Sequence, residues 1–160
     1  MGKLVKAAIL AALVVCAQPV AAQSPAVEVV GLDGKSVKIS IDGMTRHVVT
    51  ATQGGARVEF EGVMMRDVLG KADTPLGEKL HGPEALTTYV LATARDGYKA
   101  VFAIAELDAS FTDGVVMIAD RRDGKRLDEK TGPLQIVTPD EKRAGRWVRQ
   151  LMKLEVRQAK

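Results

Sequence analysis

The sequence predicts a single β-dominated α+β domain from about Ala26 to Arg157, built of short strands, hairpins and a few short helices. Three observations predict it. Five Asp-Gly pairs, at 33–34, 42–43, 96–97, 113–114 and 123–124, punctuate the chain. Asp-Gly suits tight turns because glycine takes positive φ without a Cβ clash. Stretches beside these pairs alternate apolar and polar residues with period two, as in Val37-Lys38-Ile39-Ser40-Ile41, the pattern of a strand with one wet face. Helix-periodic stretches are few, and there is no internal repeat or low-complexity tract.

Each element follows from local pattern. Ala26–Val30 and Ser36–Ile41 read as strands flanking the first Asp-Gly pair. Val63–Leu69 reads as a helix, because Val63, Met64, Val68 and Leu69 share an apolar stripe that Gly70 is expected to stop. Thr88–Thr93 and Tyr98–Ile104 flank the third pair as strands. Ala103–Leu107 adds a helical turn, and Val115–Ala119 is a strand leading into the fifth pair. Leu134–Val137 and Leu154–Arg157 are the closing strands. Between them Arg143–Leu151, entered just after Pro139, reads as helical or as a tight 3₁₀ segment.

Residues 1–22 carry the marks of a cleaved secretory signal, leaving 23–160 as the domain. Lys3 and Lys6 form a positive start, Ala7–Ala17 an apolar run, and Val20-Ala21-Ala22 puts small residues before the expected cut at Gln23. The run falls short of the roughly 20 apolar residues that a spanning helix needs, so no membrane insertion is expected after cleavage. A lipoprotein would need a small residue before Cys16, where Val15 stands. Cys16 is the sole cysteine, so the mature domain is expected to be periplasmic or secreted and free of disulfides. Without Lys3 and Lys6, 21 basic residues face 20 acidic ones, a net charge of about +1. That balance does not call for nucleic acid as a partner.

Most catalytic patterns are missing. His47 and His81 stand alone, outside any metal-ligand spacing, and Ser36, Ser40 and Ser110 lack a nucleophile-elbow sequence. Gly54-Gly55 is a flexible pair without the rest of a phosphate-loop or dinucleotide fingerprint. The segment from Gly132 through Pro139 to Arg149 is different, because Arg143, Arg146 and Arg149 surround the only tryptophan, Trp147. Arginine forks take carboxylate or phosphate oxygens two at a time, and an indole offers a flat face to a heteroaromatic ring. A pterin would suit such a cluster. Equally, Trp147 can be core, with the arginines paired to Asp140 and Glu141 at the surface.

Several stretches, in order, resemble the sulfite-oxidase-type molybdopterin-binding domain family. Phe60-Glu61-Gly62-Val63-Met64-Met65-Arg66-Asp67-Val68-Leu69 is similar to its tryptophan-x-glycine-valine helix entry. Asp96-Gly97-Tyr98, with Ala103–Leu107 after it, resembles its Asp-Gly-Tyr strand and the short segment following. Asp113–Ala119, then Asp123–Leu127, looks like its strand and Asn-Gly turn, and Gly132–Pro139 with Arg146-Trp147-Val148 looks like its close. Together these cover nearly all of the mature chain.

The departures are as specific. In that family a cysteine before the tryptophan-glycine motif holds the molybdenum. Here the corresponding stretch, Val48 to Glu59, has none, Phe60 replaces the tryptophan, and Gln135 stands where arginine is usual. The turn after Pro139 is also shorter. The resemblance therefore implies one of the family's small, cysteine-free periplasmic members, which bind a pterin or molybdopterin-type ligand and act on membrane-bound receptors. On that reading Arg143, Arg146 and Trp147 form part of the ligand wall. Arg95, Asp96 and Tyr98 approach from the neighbouring loop, with Arg57 where the metal ligand would stand. A carboxylate such as Asp96 can accept the paired N–H donors of an aminopyrimidinone edge. A molybdenum-dependent oxidoreductase with an atypical metal ligand, and an interaction module without ligand, are the alternatives.

Overall fold

The computed structural model describes residues 24–159, so the expected signal segment and Cys16 lie outside the described residues. Ten strands form two five-stranded sheets. The first sheet holds β1 (Ala26–Val30), β2 (Ser36–Ser40), β5 (Thr88–Ala94), β6 (Lys99–Ala103) and β10 (Leu151–Gln158) in the order β2-β1-β10-β5-β6. β1 lies parallel to β10, joining the two ends of the domain, and the other pairings are antiparallel. The second sheet runs β3 (His47–Gln53), β4 (Ala56–Met64), β7 (Met117–Arg122) and β8 (Lys125–Arg126), with β9 (Gln135–Val137) also on β7. Helices are short: α1 (Met65–Lys71), α2 (Pro83–Thr87) and three 3₁₀ turns. The β-rich α+β class follows from this inventory.

Period-two patterns place the cores. Val27, Val29, Val90, Ala92, Phe102, Leu154 and Val156 turn one face of the first sheet inward, against Val68 and Leu69 of α1 and Val63, Ile118 and Ile136 of the second sheet. The opposite face of the second sheet carries a smaller cluster in which Phe60, Met117, Ala119 and Val137 enclose Trp147. Burying an aliphatic or aromatic side chain contributes roughly 1.5–3 kcal/mol, so both faces of the central strands are anchored.

The structure corrects several elements. Val48 to Glu59, the stretch where the resemblance would put the metal ligand, is the β3–β4 hairpin, and Gly54-Gly55 is its turn, with φ of +59° and +82°. Two positive-φ residues between strands are the signature of a right-twisted two-residue turn. Val63 and Met64 belong to β4 and pair with Ile118 and Met117, so α1 starts later than expected and runs through Gly70. Asp113-Gly114 is not a turn: the chain there has no regular structure, and β7 begins at Met117. Of Arg143–Leu151 only Ala144–Arg146 is 3₁₀. α2, entered through Pro83, was not anticipated.

Candidate functional site

A cleft of about 470 Å³ opens where the β5–β6 turn, the strand β9 and the segment after the 3₁₀ turn Ala144–Arg146 meet. The β5–β6 turn owes its shape to Asp96-Gly97. Gly97 adopts a φ of +86°, and Asp96 Oδ1 accepts the Tyr98 N–H at 2.9 Å. The closing bond runs from Ala94 N–H to Tyr98 O at 2.9 Å. Asp96 and Tyr98 are thereby presented on the cleft side, with the second carboxylate oxygen of Asp96 left over. The Tyr98 hydroxyl donates to Gly145 O and pins the turn to the opposite wall.

That wall is set by Trp147 and Gln150. Trp147 is 6% exposed, meets Phe60 edge to face with ring centres 5.3 Å apart, and donates its Nε1–H to Thr138 O at 3.2 Å. Its indole is core, and only its margin reaches the cleft. Gln150 takes the left-handed backbone region at φ +48°. Its N–H donates to Thr131 O at 2.9 Å, its carbonyl accepts the Arg95 N–H at 3.0 Å, and its side-chain amide donates to Glu129 O at 2.5 Å. One residue thus ties the β5–β6 turn, the 127–131 loop and the start of β10 together. A left-handed non-glycine residue held by three partners is a local strain that its surroundings over-determine.

The floor is Gln135 on β9, 3% exposed and lining the cleft. Gln53 at the end of β3, Lys130 and Arg149 complete the polar lining. The donor set is therefore three glutamine amides, two cations and one carboxylate. It contains no thiolate or imidazole, and among the described residues no three His, Cys, Asp or Glu side chains converge. Such a set does not fit a soft metal ion; it does fit a flat, polar heteroaromatic ring bearing an anionic group.

Of the residues singled out from sequence, the structure brings Asp96, Tyr98 and Trp147 to this cleft. Arg95 points to a second cavity of about 580 Å³, beside Glu28, Lys38 and Met152. Arg143 is exposed just before the 3₁₀ turn and Arg57 is exposed on β4, and neither lines the cleft. Arg146 faces away and is fully engaged. It binds Glu106 through both terminal nitrogens at 2.8 and 3.0 Å, Glu141 through Nε at 2.8 Å, and Val101 O at 3.1 Å, while stacking over Phe102. The paired carboxylates of Glu106 and Glu141 hold its proton more firmly than usual, against the opposing effect of burial. The cleft residues not foreseen are Gln53, Lys130, Gln135, Arg149 and Gln150. Arg149 was visible as the third arginine beside Trp147, and Gln135 as the residue in an arginine's place. Gln53 ends a strand and Lys130 sits in a turn, neither within a motif.

A family model described as oxidoreductase molybdopterin binding domain matches residues 22–160. No curated protein matches the chain.

Proposed function

The chain belongs to the oxidoreductase molybdopterin-binding domain family, and from that premise we propose that it is an exported, non-catalytic binding protein for a pterin or molybdopterin-type ligand. The observation that carries this reading is a polar cleft that gathers Asp96, Gln135, Lys130 and Arg149 beside the margin of Trp147. The ring of a pterin presents adjacent N–H donors that the free oxygen of Asp96 accepts, while Gln135 and Gln150 offer amides to the remaining edge. Lys130 and Arg149 suit a phosphate or carboxylate tail. Trp147 supports the cleft from within the core. The proposed role ends at the membrane, where the loaded protein reports ligand state to the periplasmic part of a receptor.

The test starts with protein purified from its native compartment and denatured, with released small molecules identified by fluorescence and mass spectrometry and molybdenum assayed on the same sample. A pterin without metal supports the reading. Stoichiometric molybdenum would return the chain to the oxidoreductases. In reconstitution with biopterin, Asp96→Asn keeps the Oδ1 acceptor that shapes the turn but loses the charge. Affinity should fall by about tenfold or more, the loss of one charge-assisted hydrogen bond. Arg143→Ala, outside the cleft, should leave affinity unchanged; the opposite ranking would move the site to the surface arginines.

A further inference from the structure

We propose that the tip of the β7–β8 hairpin is a docking surface for an acidic patch on a partner protein. The register sets Arg121 directly opposite Arg126 and Arg122 opposite Lys125. Like charges facing each other across a ladder oppose pairing, and β8 is only two residues long. Arg122 has a packing role, lying over Phe60 and pairing with Asp123, but among the described residues Lys125 and Arg126 have no such partner. The concentration is local, because the mature chain as a whole is nearly neutral.

The nearby acids do not neutralise it. Asp123 spends Oδ1 on the Glu59 N–H at 3.0 Å and lies 3.5 Å from Arg122 Nε. Asp128 uses Oδ1 for the N–H groups of Lys130 and Thr131 and the Thr131 hydroxyl. Glu61, opposite Arg121, pairs with Arg46 at 2.9 Å. Lys125 and Arg126 are exposed and form no ion pair among the described residues. They bound, with Arg122, a hollow of about 280 Å³ between the hairpin and the 127–131 loop. A carboxylate-bearing surface meets Lys125 and Arg126 without displacing any existing pair. No exposed aromatic side chain borders the hollow, so base stacking has no platform there.

The surface adjoins the cleft through one loop. Leu127 N–H is held by Asp120 O at 3.0 Å, Lys130 lines the cleft, and Thr131 and Glu129 hold Gln150. A ligand touching Lys130 and Gln150 therefore bears on the loop that backs the basic hollow. That coupling rests on the pterin reading; the docking surface does not.

The experiment measures binding of a poly-L-glutamate peptide to the exported protein by calorimetry at low and high salt, beside Lys125→Glu and Arg126→Glu. The peptide should bind at low salt, weaken at high salt, and lose about tenfold in affinity with the charge reversals. Arg126→Glu should at the same time raise the thermal midpoint, because it turns a like-charge pair into an opposite one. Biopterin affinity should be unchanged in both variants, and a protein that takes the peptide at this hairpin but no pterin keeps the surface while removing the cleft reading. Equal peptide affinity in variants and parent overturns the proposal. So does a lowered midpoint in Arg126→Glu, or binding to phosphatidylglycerol vesicles or inorganic phosphate but not to the peptide.

Discussion

Gly62 lies where β4 crosses β7 most tightly: a Cβ there would sit 2.1 Å from Ile118 O and 2.6 Å from Ala119 Cα. The crossing coincides with a bulge, since Ala119 pairs with Gly62 and Arg121 with Glu61, leaving Asp120 unpaired between them. The bulge turns Arg122 onto the face of Phe60 and lets Asp120 meet Arg46. Backbone atoms of a central strand cannot step aside, so Gly62→Ala should cost about 3 kcal/mol or more in urea denaturation. Gly70 makes the contrast. It lies within α1 with nothing within 4 Å of its missing Cβ, so Gly70→Ala should gain about 0.5–1 kcal/mol. Equal effects at the two sites would contradict this crossing. The glycine of the Phe60-Glu61-Gly62 motif thus has a packing reason, whereas Gly70, expected to stop the helix, lies inside it one residue before its end.

On the scale of elements, Arg146 fastens the 3₁₀ turn to the free edge of β6. Glu106 accepts the Ala103 N–H at 2.6 Å while gripping Arg146, which in turn donates to Val101 O. Two outward backbone groups of an edge strand are thereby occupied, one way of blunting an edge against unwanted strand pairing. The same clasp sets Ala144 and Gly145 at the cleft mouth. Lysine keeps the charge but cannot bind Glu106 with a planar fork, so Arg146→Lys should lower stability by about 1 kcal/mol, a modest value because the pair is partly exposed. Chemical denaturation measures it, and full stability would mean that the fork geometry is idle. The alternative in which the arginines pair with surface acids describes Arg146, and Trp147 is core as that alternative held. The β3–β4 hairpin is legible in principle from Gly54-Gly55 between β-branched runs, because a glycine pair there is turn chemistry even without a phosphate-loop fingerprint around it.

For the whole molecule, the carboxylates set the acid limit. Burial raises the Asp108 pKa, but hydrogen bonds from the Ser110 hydroxyl and amide and the Gly77 amide outweigh it and hold the group below its ordinary value. Glu155 is lowered likewise against burial by Arg157 and Lys153, and Asp128 by the Thr131 hydroxyl and amide. A carboxylate whose folded pKa is depressed contributes stability above its unfolded value, and that contribution is lost as pH falls through the folded one. Stability should therefore hold from neutral pH down to about 4 and decline below it. Urea midpoints across that range measure the decline, and Asp108→Asn should flatten it. Stability rising on acidification would reverse the sign.

By itself the sequence determined the β-rich class, the family, four of the five turns given to Asp-Gly pairs, three of them hairpins, and the placing of Asp96 and Tyr98 on a tight turn. These depend on residues within a few positions of one another, where turn chemistry and period two act. Only the tertiary structure decided which polar groups face one another. Arg146 and Arg149 are three residues apart and equally charged, yet one is claimed by Glu106, forty positions away, and the other opens to the cleft. Gln53, Lys130 and Gln150 meet because two sheets and a loop converge, and such convergence leaves no periodic trace along the chain.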